Sequence, residues 1–127
     1  MAQAIGHIRN ARGQGERLRE LIVDTATELV DEGTDVGALT LRSIARRAGI
    51  SAPSIYAHFA SLDLVVAAVV DRGFIQLRTE IATASAAAPD PTNALVAACS
   101  AYFTFGRSHV SRYRAMFTPE GYGPESG

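Results

Sequence analysis

The 127-residue sequence contains no lysine, and all 12 of its basic residues are arginine. That reflects genome composition as much as function, although arginine also suits the forked recognition of phosphate. A single cysteine, Cys99, excludes an internal disulfide framework. It fits a reducing cytosol and, with no base partner in view, makes a poor nucleophile. The longest apolar run, Leu64 to Val70, is seven residues, far short of the ~20 needed to span a bilayer. Residues Met1 to Gly15 lack the apolar stretch of a secretory signal. A cytoplasmic location is expected, with no membrane partner. His7, His58 and His109 show no metal-ligand spacing, and no glycine loop is shaped to cradle phosphate. No metal, cofactor or enzymatic activity is expected. Internal repeats and strand pairs are also missing. The absence with most content is local. Between Val36 and Leu62 there is no Asp or Glu, although Arg42, Arg46, Arg47 and His58 lie there. A net charge of −1 hides this imbalance, which a polyanionic partner would favour.

That same region holds the stretch around which the chain is organised, LRSIARRAGISAPSIYAHF, Leu41 to Phe59. Its pattern predicts two short helices joined by a tight turn. Thr40 is placed to cap the first, Leu41 to Ala48, through its hydroxyl. Gly49 is placed to end it in the left-handed conformation that glycine adopts most cheaply. Ile50 fills the corner, Ser51 caps the second helix, and Pro53 sits in its first turn, where a missing N–H costs nothing. Ile44, Ala45, Ile50, Ile55 and Phe59 form the inner face. This is the spacing of a helix-turn-helix, whose second helix enters the DNA major groove. The alternative is a plain helical bundle that binds another protein.

The overall expectation is an all-α fold: a three-helix helix-turn-helix domain joined by a long helix to a partial helical bundle. Residues 1–15, with His7, Arg9, Arg12 and three glycines but no acid, read as a flexible basic arm that could track DNA or simply lead the chain. Residues 16–60 are the DNA-binding domain. Its first helix, Glu16 to Glu32, has an apolar stripe of Leu18, Leu21, Ile22, Ala26, Leu29 and Val30. Glu20, Asp24, Glu28 and Asp31 read as its solvated face, and Gly33 as its stop. Residues 61–117 hold the connecting helix, capped by Ser61 and running to about Ala86 with Gly73 as a weak point. A partial bundle follows, with helices over Thr92 to Arg107 and from Ser108 or His109 to Phe117. AAAPDP, Ala86 to Pro91, marks the turn after the connecting helix. Residues 118–127 read as a loop or tail.

The run Thr40 to Val66, TLRSIARRAGISAPSIYAHFASLDLVV, resembles the DNA-binding domain of the tetracycline-repressor (TetR) family of bacterial transcription regulators. The likeness extends from about Glu16 to Ile81, and Tyr102 to Phe117 more weakly resembles the start of that family's ligand-binding domain. The resemblance implies an all-α homodimer on a palindromic operator in double-stranded DNA. It also implies repression that is relieved when a small-molecule effector enters the C-terminal bundle.

Carried over position by position, the resemblance makes Arg42 a base-edge contact, since a guanidinium can grip guanine O6 and N7. Thr40, Tyr56 and His58 become phosphate contacts that fix register. Ser51, Ala52, Pro53 and Ser54 face the bases at the start of the recognition helix, and Arg46 and Arg47 add backbone electrostatics. Many relatives carry a phosphate-binding lysine where this chain has Leu62. The family's two further long helices have no counterpart before Gly127, so pocket and dimer interface are expected to be incomplete, and a truncated DNA binder without effector control is a further alternative. Phe74, Cys99, Tyr102, Phe103, Phe105 and Met116 are candidates to line an apolar effector pocket, although aromatic and Met residues at helical spacing more often form core.

Overall fold

The structure, a computed structural model, describes the backbone of residues 2–118 and the side chains of residues 13–118. The described residues are all-helical, with no strand. Six helices follow in order: α1 (Ala2–Asp31), α2 (Leu41–Ala48), α3 (Ala52–Tyr56), α4 (Leu62–Ala86), α5 (Pro91–Ser108) and α6 (Val110–Phe117), with a 3₁₀ turn at Val36–Ala38. None is long and apolar enough to cross a membrane.

The helix expected from Glu16 starts instead at Ala2, so the stretch read as a flexible arm is helical backbone continuous with α1. No proline interrupts residues 2–31, and Ala, Arg, Gln, Leu and Glu are good helix formers. These outweigh the glycines that suggested flexibility. The expected tail lies outside the described residues beyond Thr118, the residue that caps α6.

Two apolar clusters organise the chain. The first joins Ile22, Val23, Ala26, Leu29 and Val30 of α1 to Ile44 and Ala45 of α2, and to Ile55 and Phe59 around α3. Val65, Val66 and Val69 of α4 and Ala115 of α6 also belong to it. The second is Leu77, Phe105 and Met116, with Phe74, Ile81 and Tyr102 against it. Val70 touches both. The connecting helix is thus a wall of each core. Its early valines belong to the reader, although the expected domain boundary falls before them, at residues 60–61. Leu21, expected inside, is 38% exposed, and Val23 takes the buried place beside Ile22.

Gly73 is a crossing point rather than a weak spot. A Cβ built there would lie 2.6 Å from Met116 Sδ, so α6 packs directly on the bare backbone of α4. Ser61 precedes α4 in extended conformation, but its side chain makes no capping hydrogen bond. Asp90, read only as a turn residue, caps α5 and accepts from the Asn93 backbone N–H at 2.9 Å. No charge occurs between Asp90 and Arg107. The outer face of α5, with Leu95, Val96, Cys99 and Phe103, is exposed.

Candidate nucleic-acid interface

The reader is built by local bonds that the sequence specifies. Thr40, in extended conformation, caps α2. Its Oγ1 accepts from the Ser43 N–H at 2.9 Å, and the Thr40 N–H donates back to Ser43 Oγ at 3.1 Å. This reciprocal box leaves the Thr40 hydroxyl proton free to donate outward, as a phosphate contact requires. Gly49 ends α2 at φ +74°, and the Ile50 N–H then bonds the Ala45 carbonyl at 3.0 Å. This closing of a helix end through a left-handed glycine turns the chain into α3. Ser51 caps α3: the Ser54 N–H reaches its Oγ at 3.3 Å, and the two serine hydroxyls share a bond of 2.8 Å.

Beneath this frame Ile44, Ile55 and Phe59 are sealed, Ile55 at 0% exposure. The Arg19 guanidinium of α1 lies 4.5 Å from the Phe59 ring centroid and covers its outer side. Burying Ile55 and Phe59 turns the other side of α3 outward. Tyr56 is 59% exposed on that outward side. Thr40, Arg42, Ser51 and Pro53 are exposed, while Ala52, Ser54 and His58 are half-buried. His58 packs against α1, where a Cβ at Gly15 would lie 3.8 Å from its Cε1. α3 is only five residues long, so few side chains can enter a groove from it.

The basic face is smaller than the sequence suggested. Arg47, though exposed, is paired within the chain, donating from Nη1 and Nη2 to the two carboxylate oxygens of Glu32 at 2.8 and 2.7 Å. The hydrogen bonds from Arg47, with its charge, hold the Glu32 carboxyl below the usual range, and Glu32 in turn raises Arg47. Arg47 is therefore a brace between α2 and the end of α1. Exposed Arg42 and Arg46 carry the outward charge. Glu20, Asp24, Glu28 and Asp31 of α1 are all exposed, as a solvated face expects, and two of them also find distant partners. Asp24 pairs with Arg72 of α4, and Asp31 pairs with Arg112 of α6. These long-range pairs join residues 48 and 81 positions apart, beyond the reach of helical periodicity.

The candidate pocket residues sit in different environments, some packed and some exposed. Phe74 packs edge-on to Phe117 at 5.3 Å, and Tyr102 stands edge-on to Tyr113 at 5.9 Å. The two tyrosine hydroxyls bond at 2.8 Å, which raises the Tyr102 pKa. Met116 and Phe105 are core, while Cys99 and Phe103 face outward, Phe103 at 66% exposure. One cleft of about 350 Å³ lies between Gly33, Asp35, Val36, Ser111 and Arg114. Another, about 510 Å³, lies between α1 and α4 around Arg19, Asp71, Arg72 and Ile75. Neither includes a candidate pocket residue. No group of three or more His, Cys, Asp or Glu side chains among the described residues could hold a metal.

Comparison with known proteins matches residues 22–69 to the family model of the bacterial regulatory proteins, tetR family. Among curated relatives, an HTH-type transcriptional regulator of Staphylococcus aureus is 29% identical over 73 residues, 58% of this chain and 38% of its own. One from Haemophilus influenzae is 35% identical over 65 residues, 51% of this chain and 32% of its own. The HTH-type transcriptional activator FasR of Mycolicibacterium smegmatis is 31% identical over 112 residues, covering 85% of this chain and 50% of its own. The chain thus spans between about a third and a half of the length of these relatives. The matched segment runs from the first core residue of α1, through the capped α2–Gly49–α3 turn, to Val69 of α4. Over that segment the chain matches the tetR family of bacterial regulatory proteins.

Proposed function

We propose that this chain binds double-stranded DNA sequence-specifically as a homodimer on a palindromic operator and regulates transcription there. The observation that carries the reading is the outward face of the reader: Thr40, Arg42 and Tyr56 exposed beside an acid-free stretch, over a core sealed by Ile55 and Phe59. Arg42 is the base-reading side chain. Thr40, Tyr56 and His58 donate to phosphates and set register. Ala52 and Pro53 offer only apolar contact, which suits a thymine methyl, and Ser51 and Ser54 add hydroxyls already committed to capping. The Leu62 position supplies no phosphate contact.

Repression by occupying the operator is the sign we propose. FasR is named an activator, so the position of the operator relative to the promoter decides the outcome. In the proposed release step a small-molecule effector opens the packed cluster of Phe74, Tyr102, Tyr113 and Phe117. It thereby favours a state that no longer fits the operator.

The test is a fluorescence-anisotropy titration against the duplex flanking the protein's own gene, at two salt concentrations. Saturable binding that survives competitor DNA and weakens with salt supports the reading. Absence of binding at both salts, with activity toward a protein partner retained in Arg42→Ala/Tyr56→Ala, would leave the chain as a protein-interaction module.

A further inference from the structure

α1 ends in two adjacent acids that grip different parts of the molecule. Asp31 accepts from Arg112 Nε at 3.2 Å and from Arg112 Nη2 at 2.5 Å. The remaining arm of that guanidinium, Nη1, donates to Gln76 Oε1 of α4 at 2.6 Å. Arg112 is 5% exposed, and its guanidinium carbon lies 5.9 Å from the Phe105 ring centroid in the second core. His109 Nδ1 stands 3.9 Å from Asp31 Oδ2. One residue on, Glu32 holds Arg47 of α2 by the two-bond fork already described. The chain then turns away through Gly33.

A buried guanidinium has a fixed planar fork, so its bonds define direction as well as distance. Such pairs add little net stability over apolar packing, and orientation is what they can add. Here one arginine ties the end of α1 to α4 and α6, and a second ties the adjoining residue to α2.

We infer that Arg112 is a positioning residue for the reader: through Asp31 and the neighbouring Glu32–Arg47 fork, the C-terminal body sets the angle at which α2 and α3 meet DNA. This rests on the DNA-binding reading above. Arg112 is buried and lies outside the segment matched to the family.

The test compares the full chain with Asp31→Asn and Arg112→Gln. Each is titrated against the gene-flanking duplex and, separately, against a random-sequence duplex of equal length. Asp31→Asn keeps shape while weakening the fork, and serves if Arg112→Gln fails to fold. The expected result is a loss of roughly fivefold or more in affinity for the flanking duplex. Affinity for the random duplex stays unchanged, so the ratio of the two falls. A side chain needed only for folding would lower both together, and that outcome overturns the proposal. An unchanged ratio in folded Asp31→Asn also overturns it. If the unsubstituted chain binds both duplexes equally, the DNA-reading assignment itself fails, and the positioning role falls with it. Amide hydrogen exchange gives a second readout. The flanking duplex slows exchange in α2 and α3 in every folded variant, and slows it in α6 only where the Asp31–Arg112 pair is intact.

Discussion

Substituting Gly49 by alanine isolates the conformational requirement at the corner of the reader. Gly49 sits at φ +74°, and a Cβ built on it meets nothing within 4 Å. No clash contributes, so the cost is that of holding an L side chain in the left-handed region, about 1–2 kcal/mol. Alanine also restricts the unfolded chain, which returns about 0.4–1 kcal/mol. The expected net loss is about 1 kcal/mol, a fall in Tm of roughly 3–6 °C for a domain of this size. Two companions sharpen the test. Gly37 is also open to a Cβ but has no positive φ, so Gly37→Ala keeps the unfolded-state gain and is neutral or stabilising. Asn tolerates the left-handed region, so Gly49→Asn costs less than Gly49→Ala. Urea and thermal unfolding followed by far-UV circular dichroism measure all three. If Gly49→Ala matched Gly37→Ala, or Gly49→Asn were as costly as Gly49→Ala, the left-handed corner would not be the constraint.

Arg42→Ala is expected to weaken binding to the flanking duplex by about 1–3 kcal/mol, the worth of a good bidentate base contact; unchanged anisotropy titrations would remove Arg42 from that role. Tyr56→Phe should weaken binding to specific and random duplexes alike, since a lost phosphate contact carries no sequence information; a loss confined to one sequence would contradict this. Gly73→Ala should destabilise, because overpacking against Met116 costs about 1–3 kcal/mol against the ~1 kcal/mol that alanine returns in helix propensity; unfolding titrations at least as stable as the parent would show that Met116 moves aside freely. At Asp90, the Asn93 backbone N–H and then its side-chain amide hold the carboxyl below the usual range. A depressed folded pKa stabilises above the ordinary carboxylate value and loses that contribution as pH falls through the folded one. The stability gap between parent and Asp90→Ala should therefore be full at pH 7 and close in acid, and a pH-independent gap would refute the capping role.

The reader was legible because its signals are local. Thr40, Gly49, Ser51 and Pro53 each act within four residues of themselves, and α2 occupies the expected Leu41–Ala48. Buried Ile44, Ala45, Ile55 and Phe59 follow from a helical stripe read over one or two turns. What escaped the sequence is what depends on distant partners. Nothing near Arg47 distinguishes it from Arg46, yet one faces Glu32 and the other faces outward. Arg112 sits in a short helix rich in arginine and is betrayed as buried only by the fold. Gly73 read as a defect because its occupant, Met116, arrives from 43 positions later in the chain. The Asp90 cap was within reach, since an Asp followed by Pro at the first helical position is a start signal; the neighbouring prolines drew it into a turn instead. The outward direction of Cys99 and Phe103 could not be told from the inward direction of Phe105 on a helix with no charge before Arg107 to mark its wet side.

The first half of α4 belongs to the reader and the second half to the body, with Val70 touching both cores. The family match ends at Val69, the last α4 residue buried in the first core. A unit of inheritance and a unit of packing therefore share a border in the middle of a continuous helix, where no loop marks it. Anyone exchanging readers between such proteins should cut inside the helix, between Val69 and Gly73, and keep the helical phase across the joint. A cut at Ser61, inviting as a linker, would strip Val65, Val66 and Val69 from the core they complete.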